Sequence, residues 1–250
     1  LGGCDTIKLV ITDETSAALR RRAALNNAGW CDAVCRAHGL SPRYDGRDLW
    51  LSTVRTPPLY PDAVTLDAGV AAASVLPPVD TSSPGCSVKD SFAALDLAGH
   101  GFEVLFEAQW IHRPAGAAVP AAAPDAPRWS EVRDAAELAV WEAAWDGEEA
   151  TGLFRPSLLG GDSAFLAGRV GDRIVAGAVA HTCAGAIGVS NLFARDGVGT
   201  DTAWAGTLAA IAARRPDLPV VGYEHGEDLD AALRNGFTAI GPLRVWLHTA

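Results

Sequence analysis

The sequence predicts an α/β protein in which a mixed central sheet is flanked by helices and the chain divides into two comparable units. Three observations predict this. The last stretch, Leu218 to His248, repeats the pattern of Asp90 to His112: Ala-Ala-Leu, then Gly-Phe, then an apolar run ending Trp-[Ile/Leu]-His. Ala93, Ala94, Leu95, Gly101, Phe102, Trp110, Ile111 and His112 correspond to Ala231, Ala232, Leu233, Gly236, Phe237, Trp246, Leu247 and His248. Between the copies, RPAGAAVPAAAPDAPR (Arg113 to Arg128) is Pro and Ala with few polar groups, the composition of a semi-stiff linker. Downstream of it, helical and strand periodicities alternate with short turns, as one mixed sheet requires. The expected organisation is residues 1–113, a linker at 114–127, and a better-defined unit at 128–250.

In the first unit a helix is expected from Glu14 to about His38, a strand over DLWLSTV, and an extended run from Tyr60-Pro61 through Leu66. Asp80 to Cys86 is turn-rich and leads into the first copy of the repeated helix and strand. No glycine-rich loop joins a strand to a helix in this half.

The second unit is more regular. Asp134 precedes AAELAVWEAAW with Glu137 three residues on, the arrangement that caps a helix, and Leu138, Trp141 and Trp145 recur at helical spacing. AFLAGRV and RIVAGAVAH meet at Gly171-Asp172 and read as a hairpin. AIGVSNLFA (Ala186 to Ala194) is a further strand, and RDGVGTD a loop. Thr200 or Thr202 is expected to cap the helix that stops before Pro216. LPVVGY is a short buried strand, EDLDAALRN a helix ended by Gly236, and TAIGPLRVWLH a last strand interrupted by Pro242.

Composition narrows the function classes. With 250 residues, 49% hydrophobic and 20% charged, the chain has the profile of a folded globular protein. A net charge of -10 argues against a broad grip on nucleic acid, and the run Arg20 to Arg22 reads as a solvated helix face. No apolar run approaches the roughly 20 residues of a membrane span. LGGCDTIKLVITDE has an early acid and no basic-then-apolar order, so no signal peptide is expected. Cys4, Cys31, Cys35, Cys86 and Cys183 are odd in number and irregularly spaced, which implies a cytoplasmic, reducing setting without a disulfide framework. Cys31, Cys35 and His38 share one helix face, but a fourth ligand is missing, so core thiols and no metal are expected. Cys183 also reads as a core thiol.

From about Trp129 to His248, the element order together with GDRIVAGAVA and the closing helix-Gly-Phe-strand resembles the GNAT superfamily of acyl-CoA-dependent N-acyltransferases. The first half resembles it only through Asp90 to His112, so the chain looks like tandem GNAT-like lobes with a degenerate N-terminal lobe. The resemblance implies acetyl-CoA, or another acyl-CoA, as co-substrate and a small-molecule amine as acceptor. It implies a bulging strand, GVSNLFA, whose following loop cradles the CoA pyrophosphate on backbone N–H groups. Carried over, that site is Leu192, Phe193, Ala194, Arg195, Gly197, Gly199 and Thr200, with the thioester oxygen held by N–H groups around Leu192 to Ala194.

Two departures stand out. The family loop reads Arg/Gln-x-x-Gly-x-Gly/Ala, whereas this chain reads Arg195-Asp196-Gly197-Val198-Gly199, one residue short, with Asp196 and Asp201 adding negative charge. Many members place a tyrosine four residues before the closing Gly-Phe glycine to protonate the leaving thiolate; here Ala232 and, in the first lobe, Leu97 occupy that place.

The remaining catalytic candidates are Tyr223, Glu224 and His225, with Glu224 or His225 taking a proton from the attacking amine. Ser190 and Asn191, the polar break in an apolar strand, are the candidate substrate-binding residues. An acidic chain suggests a cationic acceptor by electrostatic steering. The alternative reading is a catalytically inactive GNAT-like module that binds a small molecule or a protein. The repeated Trp-[Ile/Leu]-His endings suggest pairing of the closing strands, in a monomer with pseudo-dimeric lobes or in a homodimer.

Overall fold

A computed structural model describes residues 4–121, 125–147 and 149–249, with side chains from residue 16 onward. The first half comprises helix α1 (Cys4–Ala37), strands β1 (Arg43–Asp45), β2 (Leu49–Leu51) and β3 (Ala63–Thr65), a single helical turn α2 (Ala72–Val75), and strands β4 (Ser87–Asp90) and β5 (Phe102–Arg113). The second begins with β6 (Arg128–Glu131), α3 (Ala135–Asp146), β7 (Ser163–Val170), β8 (Arg173–Cys183) and β9 (Ala186–Ala194). It closes with α4 (Thr200–Arg214), β10 (Val220–Glu224), α5 (Gly226–Arg234) and β11 (Thr238–His248). A mixed α/β architecture results, as expected.

All eleven strands form one sheet, in the order β1-β2-β3-β4-β11-β5-β10-β9-β8-β7-β6. The halves interlock, because β5 lies between β10 and β11 while β11 lies between β4 and β5. The two closing strands pair antiparallel from Thr238↔His112 to His248↔Phe102, with register shifts at Ala239/Gly241 and Val245/Trp246. Trp110 stands opposite Gly241 and Trp246 opposite Val104, so each repeated tryptophan faces the start of the other strand. Pro242 is accommodated just after the first shift, opposite Gln109.

The repeat is a repeat of strands rather than of helices. Where α5 precedes β11, the segment before β5 is a turn followed by a short 3-10 helix at Ala98–His100. The Asp90 carboxylate accepts from the Leu95 and Phe92 amides, at 2.7 and 3.3 Å, and Ala93 has a φ of 51°. An aspartate that binds nearby amides folds a turn in competition with a helix, which corrects the helix expected over this copy.

Helix α1 crosses one face of the sheet. Ala23, Ala24, Ala28, Trp30, Cys31, Val34 and Cys35 are buried at helical spacing against Trp110, Val179, Val221 and Leu243. The Asn26 amide donates to the carbonyls of His181, Cys183 and Ala186 at 3.1, 3.0 and 3.0 Å, pinning the helix to the β8–β9 hairpin. Such an approach requires Gly188, because a Cβ there would lie 1.8 Å from Asn26 Oδ1. Helices α4 and α5 cover the other face through Trp204, Leu208, Ile211 and Ala232, with Phe237 just beyond α5.

The second half follows its sequence closely. Asp134 caps α3 by accepting from the Glu137 amide at 2.9 Å, and Glu137 accepts from the Arg133 amide at 3.0 Å. Helix α4 departs from expectation: neither Thr200 nor Thr202 caps it, and Gly199 occupies the cap position without a side-chain bond.

Candidate functional site

The site begins with a mismatch in β9. Between Gly177↔Phe193 and Val179↔Ser190, β8 advances two residues while β9 advances three, leaving an extra residue on β9. Asn191 absorbs it with a φ of 54°, a left-handed conformation that asparagine tolerates better than most residues. On its other edge β9 pairs with β10 only at Ile187↔Val220 and Gly188↔Val221, and the two parallel strands then part. β10 stays paired with β5 through Glu224↔Gln109. The divergence therefore opens a gap whose far wall is held by the rest of the sheet.

Beyond the bulge β9 runs into the loop before α4. Asp196 and Gly197 have φ values of 54° and 85°, and a Cβ at Gly197 or Gly199 would meet nothing within 4 Å. The first helical bond runs from the Ala203 amide to the Gly199 carbonyl, and among the described residues the amides of Thr200, Asp201 and Thr202 meet no acceptor. Three free N–H groups at the positive end of a 15-residue helix offer donors to an anion. The acidic neighbours are occupied elsewhere. Asp196 pairs with Arg173, and Asp201 pairs with Arg234 at 2.7 Å and accepts from Asn235 at 3.0 Å. The bond from Arg234 holds the Asp201 carboxyl below its ordinary range. The residues present fit a diphosphate despite the shortened loop.

The candidate side chains divide. Ser190, Asn191, Leu192, Tyr223 and Glu224 line one cavity of about 190 Å³ in the gap between the strands. Burial, and secondarily Asp228, raises the Glu224 carboxyl from 4.5 to about 8. Tyr223 stacks on Phe106 at 6.4 Å and meets Trp110 edge-on at 5.6 Å. His225, by contrast, is exposed at the start of α5, its ring 5.7 Å from that of Phe106. Phe193 packs edge-on against Trp141, and Ala194 ends the ladder opposite Ala176. The Arg195 guanidinium donates to the Ala144 carbonyl at 2.6 Å, at the C-terminal end of α3 where a cation is favoured, and so does not face the loop.

Several lining residues escaped the sequence reading. Asn27, Trp30 and Cys31 of α1, Tyr60 and Lys89 complete the cavity. Leu59, Tyr60, Pro61, Lys89 and Tyr223 also line an adjoining cavity of about 580 Å³, walled further by Pro57, Leu105, Phe106 and Val245. One clue was available: the chain has only two lysines, Lys8 and Lys89, the second inside a strand.

Cys31 and Cys35 are buried, and burial pushes their thiols up to about 11 and about 12. The His38 ring bonds the Leu153 carbonyl at 2.8 Å. Among the described residues no three His, Cys, Asp or Glu side chains converge as metal ligands, and no helix is long and apolar enough to cross a membrane.

No protein-family profile matches the chain, and no curated protein does. Solved structures do. A GCN5-related N-acetyltransferase from Kribbella flavida superposes with a TM-score of 0.61 at 15% identity, covering 91% of this chain and 96% of that one. A putative acetyltransferase from the GNAT family of Novosphingobium aromaticivorans gives a TM-score of 0.54 at 16% identity, covering 91% and 99%. A functionally unknown conserved protein from Staphylococcus epidermidis gives 0.54 at 12% identity, covering 68% and 74%. The class is thereby defined: the chain has the GNAT fold, with a mixed sheet flanked by helices. At these identities the likeness is one of fold, and activity is a separate question.

Proposed function

We propose that the protein is an acyl-CoA-dependent N-acyltransferase, an acetyltransferase in its simplest form, acting on a small-molecule amine. The observation that carries this reading is the parting of β9 and β10 at the Asn191 bulge, directly upstream of three free amides at the start of α4. The loop from Arg195 to Thr200 and the α4 amides hold the pyrophosphate, and the acyl arm lies in the gap. The unpaired backbone of β9 around Leu192 binds the thioester oxygen.

The amine arrives with a proton, which the Glu224 carboxylate removes. The nitrogen attacks the thioester carbon, the C–N bond forms, the C–S bond breaks, the CoA thiolate takes a proton from the Tyr223 phenol, and the surplus proton on the new amide nitrogen returns to the Tyr223 phenolate. Ala232 is fully buried in α5 and supplies no hydroxyl, so another group or water must protonate the thiolate, and Tyr223 on β10 is the group we assign. That same alanine favours the second reading, a GNAT-like module that binds without turnover. On either reading we place the protein in the cytoplasm and keep the organisation of an N-terminal lobe at 1–113, a linker at 114–127 and a C-terminal lobe at 128–250.

Calorimetric titration with acetyl-CoA, beside a folded Gly197→Glu, Gly199→Glu double variant, tests the cradle. Micromolar binding lost in the variant supports it. Transfer from acetyl-CoA to an amine panel then separates the readings: turnover that depends on Glu224 removes the module, and binding without turnover removes the enzyme.

A further inference from the structure

Lys89 lies at the junction of the two cavities and is 4% exposed. Its ammonium has three protons to donate, yet among the described residues it makes one hydrogen bond, to Asn27 Oδ1 at 2.9 Å, and stands 4.2 Å from the centroid of the Tyr223 ring. No carboxylate pairs with it among those residues. Asp62 pairs with Arg55 at 3.2 Å and accepts from the Thr56 and Ser87 amides, Asp90 holds the amides of Phe92 and Leu95, and Glu224, which lines the smaller cavity, forms no ion pair with Lys89 among the described residues. Asn27 Oδ1 is itself shared with the Cys31 thiol. A buried cation without a counter-ion is costly, and its retention calls for a reason.

A second group at the same junction is also unsatisfied. Among the described residues the buried Tyr60 hydroxyl finds no acceptor for its proton. Its aromatic neighbour Trp30, 6.3 Å between ring centroids, carries only a donor, so the phenolic proton has nowhere to go. Burial holds this phenol well above its ordinary range, so it stays protonated and able to donate. Two donors, one charged, therefore line both cavities, and the larger one is otherwise walled mainly by apolar side chains, beside Arg55, Thr56 and Ser87. At its rim Leu59 and Leu105 are 78% and 54% exposed, as side chains are when an apolar surface awaits cover.

We infer that these cavities take a small ligand with a carboxylate beside an apolar body, the carboxylate accepting from Lys89 Nζ and Tyr60 Oη and the body lying against Leu59, Leu105, Phe106 and Val245. On the acyl-transfer reading, which this step presupposes only for the ligand's role, the acceptor is an apolar α-amino acid whose amine faces the gap between β9 and β10. Lys89 makes the carboxylate end of the acceptor site positive, a local charge that the chain's net charge does not reveal.

The test is direct binding, so that it does not depend on turnover. L-Phenylalanine, 3-phenylpropionate and phenethylamine are titrated calorimetrically into the full chain, with and without acetyl-CoA, and into Lys89→Met and Tyr60→Phe variants verified as folded by circular dichroism. We expect the two carboxylates to bind, phenethylamine to bind at least about thirtyfold more weakly, and Lys89→Met to lose the carboxylate preference by a similar factor. Tyr60→Phe, which removes one oxygen from the same ring, weakens both carboxylates and leaves phenethylamine unchanged. Phenethylamine binding as tightly as phenylalanine, unaltered carboxylate binding in Lys89→Met, or no carboxylate binding at millimolar concentration under either condition would overturn the inference. Carboxylate binding without acetyl-CoA binding would leave it standing while removing the acyl-transfer reading.

Discussion

Replacing Glu224 by Gln changes one atom and makes two linked predictions. Burial raises its carboxyl from 4.5 to about 8, so between those values the unfolded chain is ionised while the folded chain holds the proton. The folded state then binds more protons, and its stability falls as pH rises from 4.5 to about 8, after which this contribution is constant. At about 1.4 kcal/mol per pH unit, the loss between pH 5.5 and pH 9 has a ceiling of ~3 kcal/mol. Because the carboxyl keeps some contact with water, we expect roughly half, ~1.5 kcal/mol. Glutamine cannot ionise and lacks this term. Urea unfolding followed by tryptophan fluorescence at both pH values therefore compares the two proteins, the wild type losing ~1.5 kcal/mol relative to Glu224→Gln on going to pH 9. In the transfer assay, kcat/KM rises with pH towards a plateau above about 8, because a base must be unprotonated, and Glu224→Gln falls by about 10²-fold or more. A stability difference that stays constant within ~0.5 kcal/mol across the pH range would refute the buried-carboxyl argument, whatever the activity shows.

The other predictions follow from packing and unpaired charge. Lys89→Met removes a buried cation that lacks a counter-ion, so the free protein should be as stable as the wild type or more so by thermal unfolding, a result that a structural ion pair would reverse. Gly188→Ala places a Cβ 1.8 Å from Asn26 Oδ1 and should cost about 1–3 kcal/mol in denaturant unfolding. Asn26→Ala leaves two buried carbonyls and one partly buried carbonyl without this donor and should cost a similar ~1–3 kcal/mol; because the two residues share one contact, the costs in the double variant should not add. Trp110→Phe removes the indole donor to the Ser91 carbonyl at 2.7 Å and should cost ~1–3 kcal/mol, seen as a lower urea midpoint with an unchanged slope.

What the sequence alone determined is what depends on neighbours along the chain. Asp134 and Glu137 announce the start of α3, Gly171-Asp172 turns the β7–β8 hairpin, and AIGVSNLFA is β9 residue for residue, because caps, tight turns and strand alternation are local chemistry. The resemblance implied a bulge in GVSNLFA, and Asn191 carries it. The Ala-Ala-Leu match misled for an equally local reason: Asp90, at the head of its copy, captures two amides and folds a turn.

Only the tertiary structure decided the rest. That β5 enters between β10 and β11 is a matter of pairing across more than a hundred residues, and no local preference encodes it. The cavity's lining was legible on β9 and β10 and invisible where α1, Tyr60 and Lys89 reach it from the other half. A buried lysine and an exposed one read alike as letters. Whether Lys89 meets a carboxylate or only Asn27 is settled when the sheet closes, because burial and the missing counter-ion belong to the packed molecule rather than to any segment of it.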